Sequence, residues 1–314
     1  MSVNEPSLKR YFSRAKTCDP RARRLGLEVE TLFVEAESTR PISLAISQRI
    51  FETLTTRHGW NVGSRYGELV SEVERDGFSL LYDAGWNLIE LNTPAELVSE
   101  RQHLFRTSLE RLQELYAAAA GQGALPVHSS HDGSDEDTRV ASCRLDELDV
   151  DMTGPSLRYQ AHIAAVHYNL DLVSIEEAFA WLPRLRAFFA HREWPPSVVV
   201  ENWRRSLEGS KTNWGLERYG YPPGNFDAYV DALEKLEAHV IVVDGATEIQ
   251  KPPRPFTESA ELDVETFLRL VWWFVRLRVR GGQLVLEIRP TPRSTDQAIA
   301  EGFENLWSAV GLAV

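Results

Sequence analysis

The chain has 314 residues, enough for one large domain or two ordinary ones, and its 43% hydrophobic and 25% charged residues are typical of globular proteins. The formal net charge of -12 argues against a basic nucleic-acid-binding surface, although metal ions can still bring phosphates to an acidic protein. The two cysteines form no scaffold pattern, and no apolar run suits a signal peptide or a membrane span. We therefore expect a cytoplasmic protein without nucleic-acid or membrane partners. Without a repeat or a linker, one domain over residues 1–314 is expected.

The first predicted strand carries two closely spaced acids. Its sequence "RRLGLEVETLFVEAE" has the apolar run of a buried strand, in which residues two apart point to the same face. Glu28 and Glu30 should therefore stand side by side, where burial strengthens the repulsion between their carboxylates. Taken alone, a solvent-facing acidic strand and a metal site explain this pair about equally well.

A helix, a meander and a second helix are predicted next. The segment "RPISLAISQRIFETLTTRHGW" predicts an amphipathic helix, and residues 66–92 predict a meander with turns at Gly77 and Gly85. Glu90 and Asn92 lie two residues apart on its last strand, and Asp83 stands where it could simply start the turn at Gly85. "SERQHLFRTSLERLQELYAAAA" predicts the second helix.

The central part of the chain predicts one strand, three helices and two loops. "LRYQAHIAAVHYNLDL" predicts a strand that carries His167 and Asn169 two apart. Residues 194–225 are aromatic and rich in Gly and Pro, which predicts a long loop, either a surface crossover or a lid over the site. "IQKPPRPFTES" predicts the other loop. The predicted helices are "SIEEAFAWLPRLRAFFAH", "FDAYVDALEKLEAHV" and "DVETFLRLVW".

The segment "FVRLRVRGGQLVLEIRP" predicts a hairpin, because apolar and polar residues alternate on both sides of a two-glycine turn. In that register Arg276 pairs with Glu287 and is well placed for a structural salt bridge. Arg289 follows on the same face, about 7 Å from Glu287, so an ion pair between these two should be loose. Arg278 and Arg280 are expected to be solvated.

Four predicted strands thus carry a polar pair two residues apart inside an apolar segment. The simplest assembly is an α+β fold, in which a mainly antiparallel sheet has one polar face and packs helices on the other. A polar face that only meets water is the alternative. These residue types favour a metal-phosphate site, since Mg²⁺ prefers carboxylate oxygens and cations relieve carboxylate repulsion. The pairs are Glu28/Glu30, Glu90/Asn92, His167/Asn169 and Glu287/Arg289.

Four segments in order, "GLEVE", "YDAGWNLIELNTP", "HIAAVHYNLD" and "WWFVRLRVRGGQLVLEIRPTP", resemble the glutamate–cysteine ligase family in its carboxylate–amine ligase branch. The resemblance runs from residue 26 to 292 and includes "YGYPPGNFDAYVDAL", which is similar to the segment before the family's last strands. It implies a glutamine-synthetase-like catalytic sheet, ATP, and two or three Mg²⁺ ions, with Mn²⁺ as an alternative. It also implies that a carboxylate is phosphorylated and then captured by an amine.

Carried over by position, the resemblance implies a catalytic pair, Arg289 in contact with phosphate and Arg276 of a Trp-Trp-Asp-x-Arg-like motif. Phe274 stands where many members carry an acid, and "VVVENWRRSLEG" replaces the family's Ser-Pro-Phe stretch, with Arg204 or Arg205 as its arginine. These departures leave the amino-acid substrates open. The implied metal ligands are Glu28, Glu30, Asp83, Glu90, His167 and Glu287. The residues expected to bind the nucleotide are Asn169, Arg289, Lys211 and Arg204.

The leading hypothesis is an ATP- and Mg²⁺-dependent ligase that joins an amino acid or small carboxylate to an amine through an acyl phosphate. The γ-carboxylate of glutamate and the amine of cysteine are one candidate pair. A metal-dependent phosphoester hydrolase and a degenerate ligase that only binds nucleotide or amino acid are the alternatives. A homo-oligomer is compatible with the sequence.

Overall fold

The computed structural model describes residues 8–143, 147–148, 154–209, 218–243, 246–259 and 263–311. Its strands and helices are numbered in chain order. The strands are β1 (Arg24–Glu35), β2 (Asn61–Tyr66), β3 (Leu69–Arg75), β4 (Phe78–Asp83), β5 (Gly85–Asn92), β6 (Glu96–Leu97), β7 (Ala124–Val127), β8 (Ala165–Asp171), β9 (Tyr219–Gly220), β10 (Glu237–Val243), β11 (Ala246–Pro255), β12 (Trp272–Trp273), β13 (Val275–Arg280) and β14 (Gln283–Pro292).

The α-helices lie mostly between these strands, and short 3-10 turns join several of them. The α-helices are α1 (Leu8–Ser13), α2 (Leu44–Arg57), α3 (Arg101–Ala120), α4 (Ile175–Arg192), α5 (Ser197–Glu208), α6 (Phe226–Lys235), α7 (Val264–Arg269) and α8 (Gln297–Ala309). The 3-10 turns are Pro20–Ala22, Val98–Glu100, Gly154–His162 and Phe256–Glu258.

One large antiparallel sheet organises the described residues. Its order is β13-β14-β8-β1-β5-β4-β3-β2, and β6 and β7 pair with the two ends of β1. Two small pairs, β10 with β11 and β9 with β12, lie outside it. None of the described helices is both long and apolar enough to cross a membrane.

The apolar face of the sheet forms the core. Leu25, Leu27 and Val29 of β1 are buried in a cluster with residues of α2, α3, α4 and α8. Each buried side chain of this kind contributes about 2 kcal/mol to stability. Because side chains alternate along a strand, Glu28 and Glu30 leave β1 on the opposite face. The predicted α+β architecture, with helices on one face of a mainly antiparallel sheet, is confirmed.

The register of the β13–β14 hairpin is also confirmed. Gly281 and Gly282 have φ angles of 57° and 79°, the positive values that a two-residue hairpin turn of the primed type requires. Arg276 lies opposite Glu287, as the two-glycine turn predicts. The turn chemistry therefore decides which face of the hairpin each arginine joins.

The prediction of one long loop over residues 194–225 is wrong. Helix α5 follows directly after Pro196, and two ion pairs of Arg204, with Glu201 and Glu208, support it along its exposed side. The Pro and Gly residues that suggested a loop flank this helix, and residues 210–217 lie outside the described part.

The β10–β11 hairpin was likewise not predicted. Helix α6 ends at Lys235, well before the end of the predicted helix, and strand β10 begins at Glu237. Its β-branched run favours a strand, and β11 occupies the segment predicted as a loop.

Candidate active site

Cross-strand pairing gathers the predicted polar residues on one face of the sheet. Glu28 lies opposite His167 on β8 and Asn92 on β5, and Glu30 lies opposite Glu90. Directly paired residues share a face, so these side chains project together on the side away from the core. Asn169 and Glu287 are paired in the same way between β8 and β14.

The polar face holds two groups of potential metal ligands. One is Glu28, His167 and Glu287, and the other is Glu30, Glu90 and His167. Within each group one ligand atom per residue lies within 4.8 Å of the others. Carboxylate oxygens with an imidazole nitrogen suit Mg²⁺ or Mn²⁺.

Asn169 gives an independent sign that the first group fits a cation. The residue is 8% exposed, and its amide nitrogen donates to Glu28 Oε1 at 3.2 Å. Its Oδ1 is buried with no hydrogen-bond partner in the described part of the chain. An unpaired acceptor costs free energy unless a donor or cation satisfies it, so its position beside the carboxylates fits a cation.

His167 stands between the two groups and serves both. Its Nδ1 lies 2.9 Å from Glu28 Oε2, and its Nε2 lies 3.5 Å from Glu30 Oε1. Burial and the charge of Arg289 lower the pKa of His167, which favours the neutral imidazole that ligates metals.

Four arginines face the first group. Arg276 makes a two-point ion pair with Glu287, with Nε at 2.6 Å from Oε2 and Nη2 at 2.9 Å from Oε1. Its Nη1 donates to the carbonyl oxygens of Leu268 and Val271. Arg276 is therefore nearly saturated and holds Glu287 in place. The other three contacts are Arg289 Nη1 to Glu287 Oε1 at 2.7 Å, Arg278 Nη1 to Glu287 Oε2 at 3.4 Å, and Arg280 Nη2 to Glu28 Oε1 at 2.5 Å.

Three of these contacts correct expectations from the sequence. The Glu287–Arg289 pair is short rather than loose, because β14 shifts register between Ile288 and Thr291 and Arg289 lies in this irregular stretch. Arg278 and Arg280 are ion-paired rather than simply solvated. The predicted hairpin register already places Arg278 on the same face as Arg276 and Glu287, and the same alternation extends to Arg280.

The two groups differ in their electrostatics. Burial opposes ionisation of Glu28, but the hydrogen bond with His167 and the charge of Arg280 outweigh it and lower the pKa of Glu28 to about 2. Burial of Glu287 is likewise outweighed by its arginines, which lower the pKa of that carboxyl. The two carboxylates of the first group are therefore ionised, and the neighbouring guanidinium groups already balance their charge.

The second group is not neutralised in this way. Burial and the charges of Asp83 and Glu90 raise the pKa of Glu30 well above its ordinary value. Burial and the charges of Glu28 and Asp83 do the same to the pKa of Glu90. Its hydrogen bonds come from neutral donors, Ala165 N to Glu30 Oε2 at 2.6 Å and Asn92 Nδ2 to Glu90 Oε1 at 2.9 Å. A divalent cation would relieve this repulsion directly.

Both groups line a cleft of about 1330 Å³, here named the site cleft. Asp83 also lines it, although it belongs to neither group of the described residues. The aromatic side chains of Trp203, Tyr219 and Phe274 form part of another wall. The volume exceeds the roughly 300–1,000 Å³ of most small-molecule sites, which leaves room for two ligands.

One predicted nucleotide-binding residue, Arg204, is not brought to the site. On α5, Val199 and Trp203 face the site cleft, and helical geometry turns the neighbouring Arg204 away from them. Arg204 is ion-paired with two glutamates of its own helix instead, so this geometry gives no support to its predicted contact with the nucleotide. Lys211, another predicted nucleotide contact, lies outside the described residues. Arg205, the alternative to Arg204, stacks on Tyr159 with its guanidinium 3.8 Å from the ring centroid.

No protein-family model and no curated protein matches the chain. The solved structures similar to it include a glutamate–cysteine ligase from Francisella tularensis in complex with AMP, at 14% identity and a TM-score of 0.49 over 95% of this chain and 68% of the other. A bifunctional glutathione synthetase from Pasteurella multocida has 13% identity and a TM-score of 0.47, and the match covers 92% of this chain and 39% of the other. A novel glutamine synthase homolog has 13% identity and a TM-score of 0.35, and the match covers 98% of this chain and 58% of the other. The chain thus spans less than two thirds of the latter two. The first carries the name of the family that the motifs resemble.

Proposed function

We propose that the chain is an ATP- and Mg²⁺-dependent carboxylate–amine ligase that forms an amide bond through an acyl phosphate. The observation that carries this proposal is one buried sheet face that combines two carboxylate–histidine groups with four guanidinium groups. Phosphoryl transfer needs charge neutralisation and alignment more than covalent help from the protein. In the proposal, the guanidinium groups and the metal ligands of this face supply both the neutralising charge and the alignment.

Individual side chains have distinct roles in the proposal. Glu28, Glu30, Glu90 and Glu287 hold divalent ions together with His167. A bound Mg²⁺ would supply positive charge that neutralises the phosphates of the nucleotide, and Mn²⁺ is an alternative. Asp83 lies along the same cleft and would add one more carboxylate to the set that holds these ions.

The proposal separates the two arginines of the predicted catalytic pair. Arg289 has one nitrogen on Glu287 and retains donors for a phosphate, whose oxygens match a planar guanidinium. Arg276 has most of its donors on Glu287 and two carbonyls, so it positions Glu287 and does not contact substrate. Asn169 holds Glu28 and offers Oδ1 to a cation or its water.

The size of the site cleft supports two substrates beside each other, as a ligase requires. The first is an amino acid or another small carboxylate, and the second is an amine, with glutamate and cysteine as one candidate pair. The proposal includes a single catalytic domain over residues 1–314 acting in the cytoplasm.

The test is ADP release from ATP and Mg²⁺, screened over pairs of amino acids and amines, with mass detection of the product. A ligase releases ADP at its full rate only when both the carboxylate and the amine are present, and it yields their amide. Phosphate release without any amine would instead indicate a hydrolase. Stabilisation by ATP without turnover of any pair would indicate a chain that only binds the nucleotide.

A further inference from the structure

The turn that carries Asp83 is held by a segment distant in the sequence, residues 130–140, here named the bridging segment. Asp83 ends β4 and Gly85 begins β5. The location of Asp83 in the site cleft therefore depends on where the bridging segment lies. The backbone contacts between the two are Trp86 N to Thr138 O at 2.9 Å, Val140 N to Ala84 O at 3.3 Å, and a β-bridge between Gly85 and Arg139.

The bridging segment is anchored on its other side next to the second group of ligands. Ser130 O accepts a hydrogen bond from Ala164 N at 3.1 Å. The next residue, Ala165, donates its backbone N–H to Glu30 Oε2 at 2.6 Å. One segment thus connects the turn that carries Asp83 to the strand end that holds Glu30.

The buried carboxylate of Asp132 fixes the bridging segment from inside, with 0% of its side chain exposed. Its Oδ2 accepts a hydrogen bond from Asn87 Nδ2 of β5 at 3.2 Å and lies 2.8 Å from His162 Nδ1. Its Oδ1 accepts from Ser134 N at 2.9 Å, and His162 Nε2 lies 2.7 Å from Glu136 O. Displacement of any partner would leave a buried polar atom unpaired, so these contacts favour a single arrangement of the segment.

The packing around Gly85 is too close for any larger residue. A Cβ atom at Gly85 would lie 2.7 Å from Ala161 Cβ, 2.8 Å from Asn87 Oδ1 and 2.9 Å from Thr138 Oγ1. The bridging segment and β5 are thus as close as a glycine permits. In an interior packed this tightly, a shift of the segment is transmitted to the turn.

The buried contacts of Asp132 lie outside the site cleft. Ser130 and Val140 of the bridging segment line the cleft, whereas Asp132, His162 and Asn87 are not among the described residues that do so. Any effect of these three side chains on the reaction must therefore pass through the bridging segment.

We propose that Asp132 and His162 are positioning residues, which hold Asp83 where its carboxylate supports cation binding beside Glu30. This inference rests on the proposed function. Residues that hold a metal ligand in place are often nearly as sensitive to substitution as the ligand, and their loss weakens metal binding by about 10- to 100-fold.

The dissociation constant of Mn²⁺ from the full chain tests the role of Asp132, with the free ion counted by electron paramagnetic resonance. Asp132→Asn keeps the shape of the side chain but replaces an acceptor oxygen by a donor, so the dissociation constant should rise about tenfold. Glu136→Gln is the matched control, since it removes one charge from the same segment. Its carboxylate is 42% exposed and pairs with Arg40, so Mn²⁺ binding should stay as in the wild type. Equal effects of the two variants would reject the role of Asp132.

A double-mutant cycle with Asp83→Asn separates positioning from a general loss of stability. Adding Asp132→Asn to the Asp83→Asn variant should raise the dissociation constant much less than it does in the wild type, because the residue through which Asp132 acts is gone. His162→Gln retains a donor for Asp132 and should bind Mn²⁺ more tightly than His162→Ala. Fully additive effects of Asp83→Asn and Asp132→Asn would overturn the inference.

Gly85→Ala makes the test independent of whether Asp132→Asn folds. The added methyl group forces the bridging segment and the turn apart while Asp132 stays in place, so Mn²⁺ binding should again weaken. Gly224→Ala is its control, because a Cβ atom there would meet nothing within 4 Å. Wild-type binding by Gly85→Ala would show that the location of the turn does not matter and would reject only this inference. Absence of Mn²⁺ binding by the wild type, with and without a non-hydrolysable ATP analogue, would reject the proposed function itself.

Discussion

Arg276 and Glu287 face each other across the β13–β14 hairpin and form a two-point ion pair that is almost fully buried, with 6% and 0% of their side chains exposed. Burying two charges is unfavourable unless both remain well paired, so removal of one partner is far more damaging than the net strength of the pair suggests. This relationship makes Arg276 a test of the stability of the polar face, separate from its chemistry.

The first prediction is therefore that Arg276→Met lowers the free energy of unfolding by about 3 kcal/mol, the scale for breaking one side of a buried pair. Arg278 and Arg289 remain near Glu287 and keep the loss from being larger. Urea denaturation measures it. Arg204→Met is the control, since its ion pairs are exposed and its removal should change little. If both variants lost the same free energy of unfolding, the buried pair would have no special role in stability.

The second prediction concerns Arg289, which we propose as the phosphate contact. Arg289→Lys keeps the charge but loses the planar fork, so ADP release should fall about a hundredfold, the scale of one preorganised charge-stabilising donor. Its melting temperature should fall much less than that of Arg276→Met, because Arg276 still holds Glu287. Steady-state turnover and thermal melts of both variants separate these effects. A fully active Arg289→Lys would remove this residue from the phosphate site.

The third prediction uses the repulsion within the second group. Glu30→Gln keeps an acceptor for the Ala165 N–H but removes one of the mutually repelling charges. We expect a higher melting temperature than wild type when divalent cations are absent, together with loss of the stabilisation that Mg²⁺ gives the wild type. Thermal melts with Mg²⁺ and with a chelator measure both effects.

The control for Glu30→Gln is the same substitution at an exposed acid of α2, Glu52→Gln. Glu52 does not line the site cleft, so its loss should leave the response of the melting temperature to Mg²⁺ unchanged. A wild-type response in Glu30→Gln would contradict the assignment of Glu30 as a ligand.

The polar face was predictable because it depends on short-range rules. The period of two along a strand places Glu28 beside Glu30, and the two-glycine turn places Arg276 opposite Glu287. Neither inference needs the order of the strands in the sheet. The residue types on this face already favoured a metal-phosphate site, and the resemblance to known motifs then implied ATP, two or three Mg²⁺ ions and an acyl-phosphate reaction.

The contacts that were not predicted depend on how distant parts of the chain come together in the fold. Contact between Arg280 and Glu28 spans 252 residues and requires that β8 and β14 lie between β1 and β13. The short Glu287–Arg289 pair lies at a shift in the register between β14 and β8, and no turn-forming residue in the sequence indicates this shift. Such contacts follow from tertiary pairing, which local patterns do not encode.

The last prediction concerns pH and the buried pair of His162 and Asp132, which lies outside the two ligand groups. His162 Nδ1 is 2.8 Å from Asp132 Oδ2, and its Nε2 is 2.7 Å from the carbonyl oxygen of Glu136. Both are acceptors, so the protonated imidazole satisfies both contacts as a double donor. Burial alone would lower the pKa of His162, but its hydrogen bond with Asp132 and the charge of that carboxylate outweigh burial and raise it above the ordinary 6.5.

The sign of the effect follows from proton binding. A histidine whose pKa is raised by folding binds more protons in the folded chain than in the unfolded chain between the two pKa values. Its contribution to stability is therefore complete below about pH 6.5 and is lost as the pH rises through the folded pKa. Urea denaturation of the wild type and of His162→Gln, from about pH 5.5 to about pH 8.5, should show their difference in unfolding free energy shrinking towards high pH. A constant or growing difference would mean that His162 is neutral in the folded protein and that Asp132 holds it as an uncharged hydrogen-bond partner.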